Sequence, residues 1–186
     1  YKSIDFRFNF EEENKEIIKK AIKNINKIII NYRKNWGKYF EDTEQKKNIT
    51  SLELNIQYFI PFDNLIKVFP NLQELECKFI DDTEEGININ IPDILNFSFD
   101  CFGINKINEI NFKNSGSKVK LEYLGGAELD IKCDELTLEN IRNDFVFEQP
   151  NLEVNKLNLH KNYFNDSNNL NKFNEKFNNL TSLHFT

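Results

Sequence analysis

The side chains best suited to chemistry in this chain are carboxylates and amines set two residues apart. In FPNLQELECKFI, residues 69–80, Glu74, Glu76 and Lys78 alternate with Leu75 and Cys77. Period two belongs to a strand, whose successive side chains point to opposite faces. Acids and base then share an outward face while the apolar residues turn inward. The same alternation elsewhere gathers Glu53, Asp100, Glu109, Glu135 and Glu139 as acids, with Lys113 and Lys156 as bases. Seven acids against three bases leave −4, much of the −6 carried by the whole chain. The segment ELDIK adds Glu128, Asp130 and Lys132 and takes the sum to −5. Such a face attracts a basic or polar protein partner through electrostatic steering, and it equally keeps an acidic protein dispersed. Asn158, His160 and His184 extend it, with His184 across from Asn158 and His160 one outward position further along the neighbouring strand.

Other chemistries find little support. GxSxG, HExxH, P-loop and GxGxxG patterns are absent, so no catalytic residue and no cofactor is expected. Cys77, Cys101 and Cys133 are odd in number and far apart, without a CxxC or Cys/His cluster. Zinc and a disulfide framework are therefore not indicated. Each cysteine falls at or beside an apolar strand position, as a small hydrophobe does. Cys133 beside Asp134 has no histidine near it in sequence and is expected in the core. The run Asp81-Asp82-Thr83-Glu84-Glu85-Gly86 is acidic but lacks the ligand spacing of a calcium loop, and reads as a solvated loop. No metal site is assigned.

The 186 residues suffice for one domain with its own core, at 39% hydrophobic and 13% aromatic content. The 30 asparagines are scattered, a usage typical of an AT-rich genome rather than a prion-like tract. A pI near 5.1 without a basic stripe argues against a nucleic-acid partner. No apolar run approaches a membrane span. Free thiols favour a reducing compartment, cytoplasmic or otherwise intracellular. The chain opens at Tyr1 and lacks methionine, which reads as a segment of a longer chain or complex.

The elements that must hold the outward residues follow from periodicity. YKSIDFRFNF alternates as a half-buried strand. In EEENKEIIKKAIKNINKIIINYRKNW, apolar residues from Ile17 to Trp36 recur at three- and four-residue steps, acids first and bases later. That predicts a long amphipathic helix ending near Gly37. From residue 48 the spacing Φ-x-x-Φ-x-Φ occurs seven times, with middle positions Leu52, Leu75, Phe97, Ile110, Leu136, Leu157 and Leu183. The steps between them are 23, 22, 13, 26, 21 and 26 residues.

This spacing resembles the leucine-rich-repeat family, over about residues 48–186. VNKLNLHKN is the closest unit, with Asn162 at the family's asparagine position after the strand; Gln57, Ile80, Phe102, Ser115 and Ile141 stand there in other units. The resemblance implies an α/β solenoid, with a parallel sheet on the concave face and helices and irregular turns on the convex face. Residues 1–47 would form a strand plus the long helix, as a first repeat or cap, continuous with the solenoid of 48–186. The linkers FDNLIKVFP and NNLNKFNEKFN are expected to be helical. Strand register is open around Leu121, Tyr123, Leu129 and Ile131, near the turn at Gly125-Gly126. The resemblance further implies a non-catalytic module that binds a protein partner on its concave face. The alternatives are a β-helix-like enzyme acting on polysaccharide, and a structural segment of a larger assembly.

Overall fold

The computed structural model describes residues 3–6, 20, 23–32, 46–56, 62–79, 86–100, 107–124, 127–141, 151–160, 177 and 179–186. They form strands β1 Ser3–Phe6, β2 Lys27–Tyr32, β3 Ser51–Ile56, β4 Glu74–Phe79, β5 Ile87–Asn90, β6 Asn96–Asp100, β7 Ile107–Glu122, β8 Glu128–Glu139, β9 Asn151–His160 and β10 Ser182–Phe185. The helix α1 Phe62–Val68, the one complete helix among the described residues, lies between β3 and β4. The strands make one ten-stranded sheet in the order β1-β2-β3-β4-β6-β7-β8-β9-β10, with β5 beside β7. Every pairing is parallel. The architecture is a β-solenoid.

Register explains why the strands stack. Ile4, Ile28, Leu52, Leu75, Phe97, Val119, Leu136, Leu157 and Leu183 stand side by side in one row. Two residues on, Phe6, Ile30, Leu54, Cys77, Phe99, Leu121, Leu138, Leu159 and Phe185 form a second. From β2 to β9 no member of either row is more than 3% exposed. One short strand cannot bury its own apolar side; its neighbours complete a continuous core. Steps along the first row are 24, 24, 23, 22, 22, 17, 21 and 26 residues, so the spacers vary while the rung is kept.

The expected α/β leucine-rich-repeat architecture with a long amino-terminal helix is not what forms. The stretch read as helix contains β2, which hydrogen-bonds between β1 and β3. Apolar-dense KIIINY satisfies helical and strand periods alike; three consecutive β-branched isoleucines favour the strand. Ile25-x-x-Ile28-x-Ile30 is in fact another copy of the repeat spacing. Of the remainder of that helical span, Lys20 is helical and much of the rest lies outside the described residues. The linker FDNLIKVFP does hold α1, with Phe62, Leu65 and Phe69 buried and the Phe62 ring edge-on to Phe97 at 5.6 Å. NNLNKFNEKFN, apart from Phe177, the turn at Gly125-Gly126, Cys101 and the acidic run 81–85 lie outside the described residues.

The anomalous 13-residue step also resolves. Ile107, Ile110 and Phe112 occupy the first half of β7, which pairs with β5 and the first half of β8 as a separate ladder. The row-mate of Phe97 is Val119, in the second half of β7. Between the halves the register with β8 shifts at residues 114–118. There Ser117, fully buried, donates its hydroxyl to the Ile94 carbonyl at 2.6 Å. ELDIK is the first half of β8, continuous with the rung at Leu136. At the start of β5, Gly86 leaves room for the Asn108 side chain, which a Cβ would meet.

Asparagine serves the bends in front of two strands. Asn48 donates to the Ile25 carbonyl at 2.6 Å and Asn71 to the Lys47 carbonyl at 2.7 Å, each tying a rung to the one before it. β7 and β8 are each followed by a left-handed residue at the same rung position, Tyr123 (φ 56°) and Asn140 (φ 55°). Asparagine tolerates that conformation better than tyrosine does. Among the described residues no helix is long and apolar enough to cross a membrane.

Leu136 is fully buried mid-sheet, whereas Leu183 is half-buried on the edge strand. Leu136→Ala is expected to cost about 2–5 kcal/mol in urea unfolding, and Leu183→Ala less than half of that. Equal costs would show that the rows do not form one graded core.

Candidate functional site

Three columns of side chains stand on the outward side of the rungs, between and beside the apolar rows. The middle column runs Asp5, Ile29, Glu53, Glu76, Ser98, Lys120, Thr137, Asn158, His184. Before it lies Ser3, Lys27, Ser51, Glu74, Asn96, Lys118, Glu135, Lys156, Ser182. After it come Asn31, Asn55, Lys78, Asp100, Glu122, Glu139 and His160. Parallel rungs are roughly 4.8 Å apart, so each residue has a neighbour within reach on both sides.

Most of the sequence-predicted site residues meet here. Glu53, Glu74, Glu76, Lys78, Asp100, Glu135, Glu139, Lys156, Asn158, His160 and His184 share the face, and His184 pairs in register with Asn158 as expected. Glu109 and Lys113 do not. They stand on the second ladder, Glu109 between Asn88 and Glu128 and Lys113 beside Lys132.

The face is less acidic than the sequence suggested. Lys27, Lys118 and Lys120 also stand on it, and its three columns carry eight carboxylates against five lysines, −3. Lys27 was missed because its strand read as helix, and Lys118 and Lys120 because their rung lacks the leading apolar residue, replaced by Gly116.

Opposite charges pair across the columns, although Asp100, Glu122 and Glu139 stand next to one another in the third. Lys27 meets Glu53 at 3.2 Å, Lys78 meets Asp100 at 2.6 Å and Lys118 meets Glu135 at 3.1 Å. Lys120 joins Glu122 and, at 3.0 Å, Glu139. Asparagines fill remaining positions: Asn31 donates to Asp5 at 3.0 Å, Asn55 to Asn31 at 2.6 Å and Asn158 to Glu135 at 2.9 Å. Thr186 and His160 share a 2.6 Å hydrogen bond. The second ladder repeats the device with Lys113–Asp130 and Lys132–Glu153. Exposed pairs of this kind contribute about 0–1 kcal/mol each; their larger effect is to hold the side chains in fixed columns.

Glu74 and Glu76 are the exception. Both are exposed on β4, and neither has an ion-pair partner among the described residues. Their rung neighbours on β6 are the short Asn96 and Ser98, beyond which stand Lys118 and Lys120 of β7. A depression of about 320 Å³ opens between these banks, reaching Lys27 at one end and Glu135 and Thr137 at the other.

Cys77 and Cys133 are buried free thiols. Burial, with Glu76 adjacent, raises the Cys77 thiol well above its ordinary range. Burial together with Asp134 and Glu135 pushes Cys133 up to about 12. Among the described residues no group of three or more His, Cys, Asp or Glu is placed to hold a metal ion. Comparison with protein-family models, curated proteins and solved structures finds no match to this chain. Fold and site together define its class as a parallel β-solenoid with an ion-paired outward face.

Two outcomes follow from these environments. Thiol reagents at pH 8 should leave Cys77 and Cys133 unlabelled in the folded chain and label both once it is unfolded, as peptide mass spectrometry will read; rapid native labelling of either would contradict their burial. The pH dependence comes from Glu135, held below its ordinary 4.5 by the Lys118 hydrogen bond and then by Asn158, and from Asp134, held below 3.8 by Asn155 and then Lys156. A folded pKa below the unfolded one gives stability that is whole above the unfolded value and lost as pH falls through the folded one. Melting temperature should therefore fall below about pH 4.5, and Glu135→Gln should make that fall shallower.

Proposed function

We propose that this chain is a non-catalytic protein-interaction module, and that a partner's lysine or arginine side chain seats against Glu74 and Glu76 in the gap over Asn96 and Ser98. The observation behind this is the contrast within the face: two carboxylates without a counter-ion among neighbours whose charges are paired. An uncompensated pair of acids beside a depression attracts a cation from solution, and a partner's guanidinium offers it in bidentate form. Rigid strands on either side fix the geometry, so little ordering is lost on binding.

A β-solenoid also suits the second reading, an enzyme acting on polysaccharide through acidic side chains of an exposed sheet. The ion pairs speak for binding instead. Glu53, Asp100, Glu135 and Glu139 are each engaged by a lysine, whereas a general acid must hold a proton near neutral pH.

The test is the affinity of an arginine-rich peptide, read by fluorescence polarisation, for the wild-type chain and for Glu74→Lys/Glu76→Lys. The double variant should bind at least about tenfold more weakly, and wild-type binding should weaken as salt is added. Glu128→Lys, on the second ladder, serves as the control and should change little. Undiminished binding by the double variant would remove the basis of the proposal.

A further inference from the structure

The rung of β6 is a trench in the outward face. Glu74 and Glu76 of β4 stand on one side of it, and Lys118 and Lys120 of β7 on the other. Glu74, Asn96 and Lys118 are in register, as are Glu76, Ser98 and Lys120. The banks are two rungs and therefore roughly 10 Å apart, room for one extended chain. The floor is short and polar. Asn96 is exposed and Ser98 half-buried, and among the described residues neither side chain makes a hydrogen bond. At one end the Lys78–Asp100 pair spans β4 and β6 and closes the trench. At the other end stands Leu95, 49% exposed at the bend before Asn96.

We infer that the partner element seated here is an extended segment lying along β6, with basic and acidic side chains in alternation and an apolar one at the end over Leu95. This rests on the seat proposed above for a basic side chain and names the segment that carries it. Three features select this occupant. The two banks have opposite charge, and an extended chain sends successive side chains to opposite sides. Alternate residues then meet the carboxylates of β4, and the residues between them meet the ammonium groups of β7. Lys118 already pairs with Glu135, and Lys120 with Glu122 and Glu139; three donors on each ammonium leave both able to take an incoming carboxylate. The floor supplies the second feature. With its side chains turned to the banks, such a segment points backbone N–H and C=O groups at the floor once every two residues, the spacing of Asn96 and Ser98. An amide and a hydroxyl can each donate to and accept from them. Third, a purely basic segment is repelled by Lys118 and Lys120, so the trench selects the order of charges and not only their sum. A helix presents residues three and four apart on one face and does not bring consecutive residues to the two banks.

Fluorescence polarisation with three labelled peptides tests this on the full chain. The first has Arg and Glu in alternation with a Leu at each end. The second has Gln in place of every Glu, and the third has the composition of the first with its arginines grouped apart from its glutamates. The alternating peptide should bind the wild-type chain at least about tenfold more tightly than either of the others, although the second is the more basic. Lys118→Gln/Lys120→Gln should remove that advantage without weakening the Arg/Gln peptide, whereas Glu74→Lys/Glu76→Lys should weaken both. The comparison of peptides on the wild-type chain stands even if a variant folds poorly. If the Arg/Gln peptide binds through Glu74 and Glu76 as tightly as the alternating one, the inference falls and the seat for a basic side chain stands. Equal binding by the grouped peptide overturns the extended arrangement. If neither the alternating nor the Arg/Gln peptide binds, both readings fall.

Discussion

Everything in this molecule depends on the parallel ladder being held in register over nine successive rungs. A slip of one residue would turn every apolar side chain outward and every lysine and glutamate inward. Two fully occupied apolar rows make that slip costly at each rung. The hydrogen bonds ahead of the strands reinforce the same alignment: Thr50 and Ser51 both donate to the Asn26 carbonyl, Gln73 and Glu74 to Thr50, and Leu95 and Asn96 to Gln73. Core, columns and charge pairing are thus consequences of one alignment rather than separate achievements.

That alignment also decides what the surface does. Stacked rungs bring like positions together, and like charges facing each other at rung spacing repel. Lysine faces a carboxylate at several rung steps and neutral Asn, Ser and Thr stand at others, while Asp100, Glu122 and Glu139 run consecutively and are engaged by Lys78 and Lys120. Glu53 beside Glu76 is a direct like-charge contact across β3 and β4; Lys27 relieves it from the β2 side. The three described columns therefore carry −3, with most of their carboxylates engaged by lysines and one patch, Glu74 and Glu76, that no described lysine engages, and the net charge of the chain does not reveal that pairing.

Much of the rung pattern was legible in the sequence. Leu52, Leu75, Phe97, Leu136, Leu157 and Leu183 sit in one row, as their spacing implied, and the outward assignment of Glu74, Glu76, Lys78 and Asn158 follows from the same alternation. What was not legible has specific causes. Ile25, Ile28 and Ile30 fit a helix and a rung equally well, because apolar density near Ile28 erases the difference between periods. Val119 and Leu121 were hidden by Gly116, which leaves their unit without its first apolar residue. Ile107, Ile110 and Phe112 imitate a rung but belong to a second ladder, a distinction that lies in pairing and not in composition. The charge balance failed for the same reasons, since the three missed lysines lie on the missed rungs.

Rungs that recur at steps of 17 to 26 residues are interchangeable units of length. Each adds roughly 4.8 Å to the stack and three positions to the outward columns, whatever its spacer contains. A lineage or an engineer can therefore lengthen this protein by whole rungs, as a ruler is extended by its graduations, while spacers diverge freely at the rim. Distance along the stack, rather than the shape of any pocket, is the quantity such a scaffold can set.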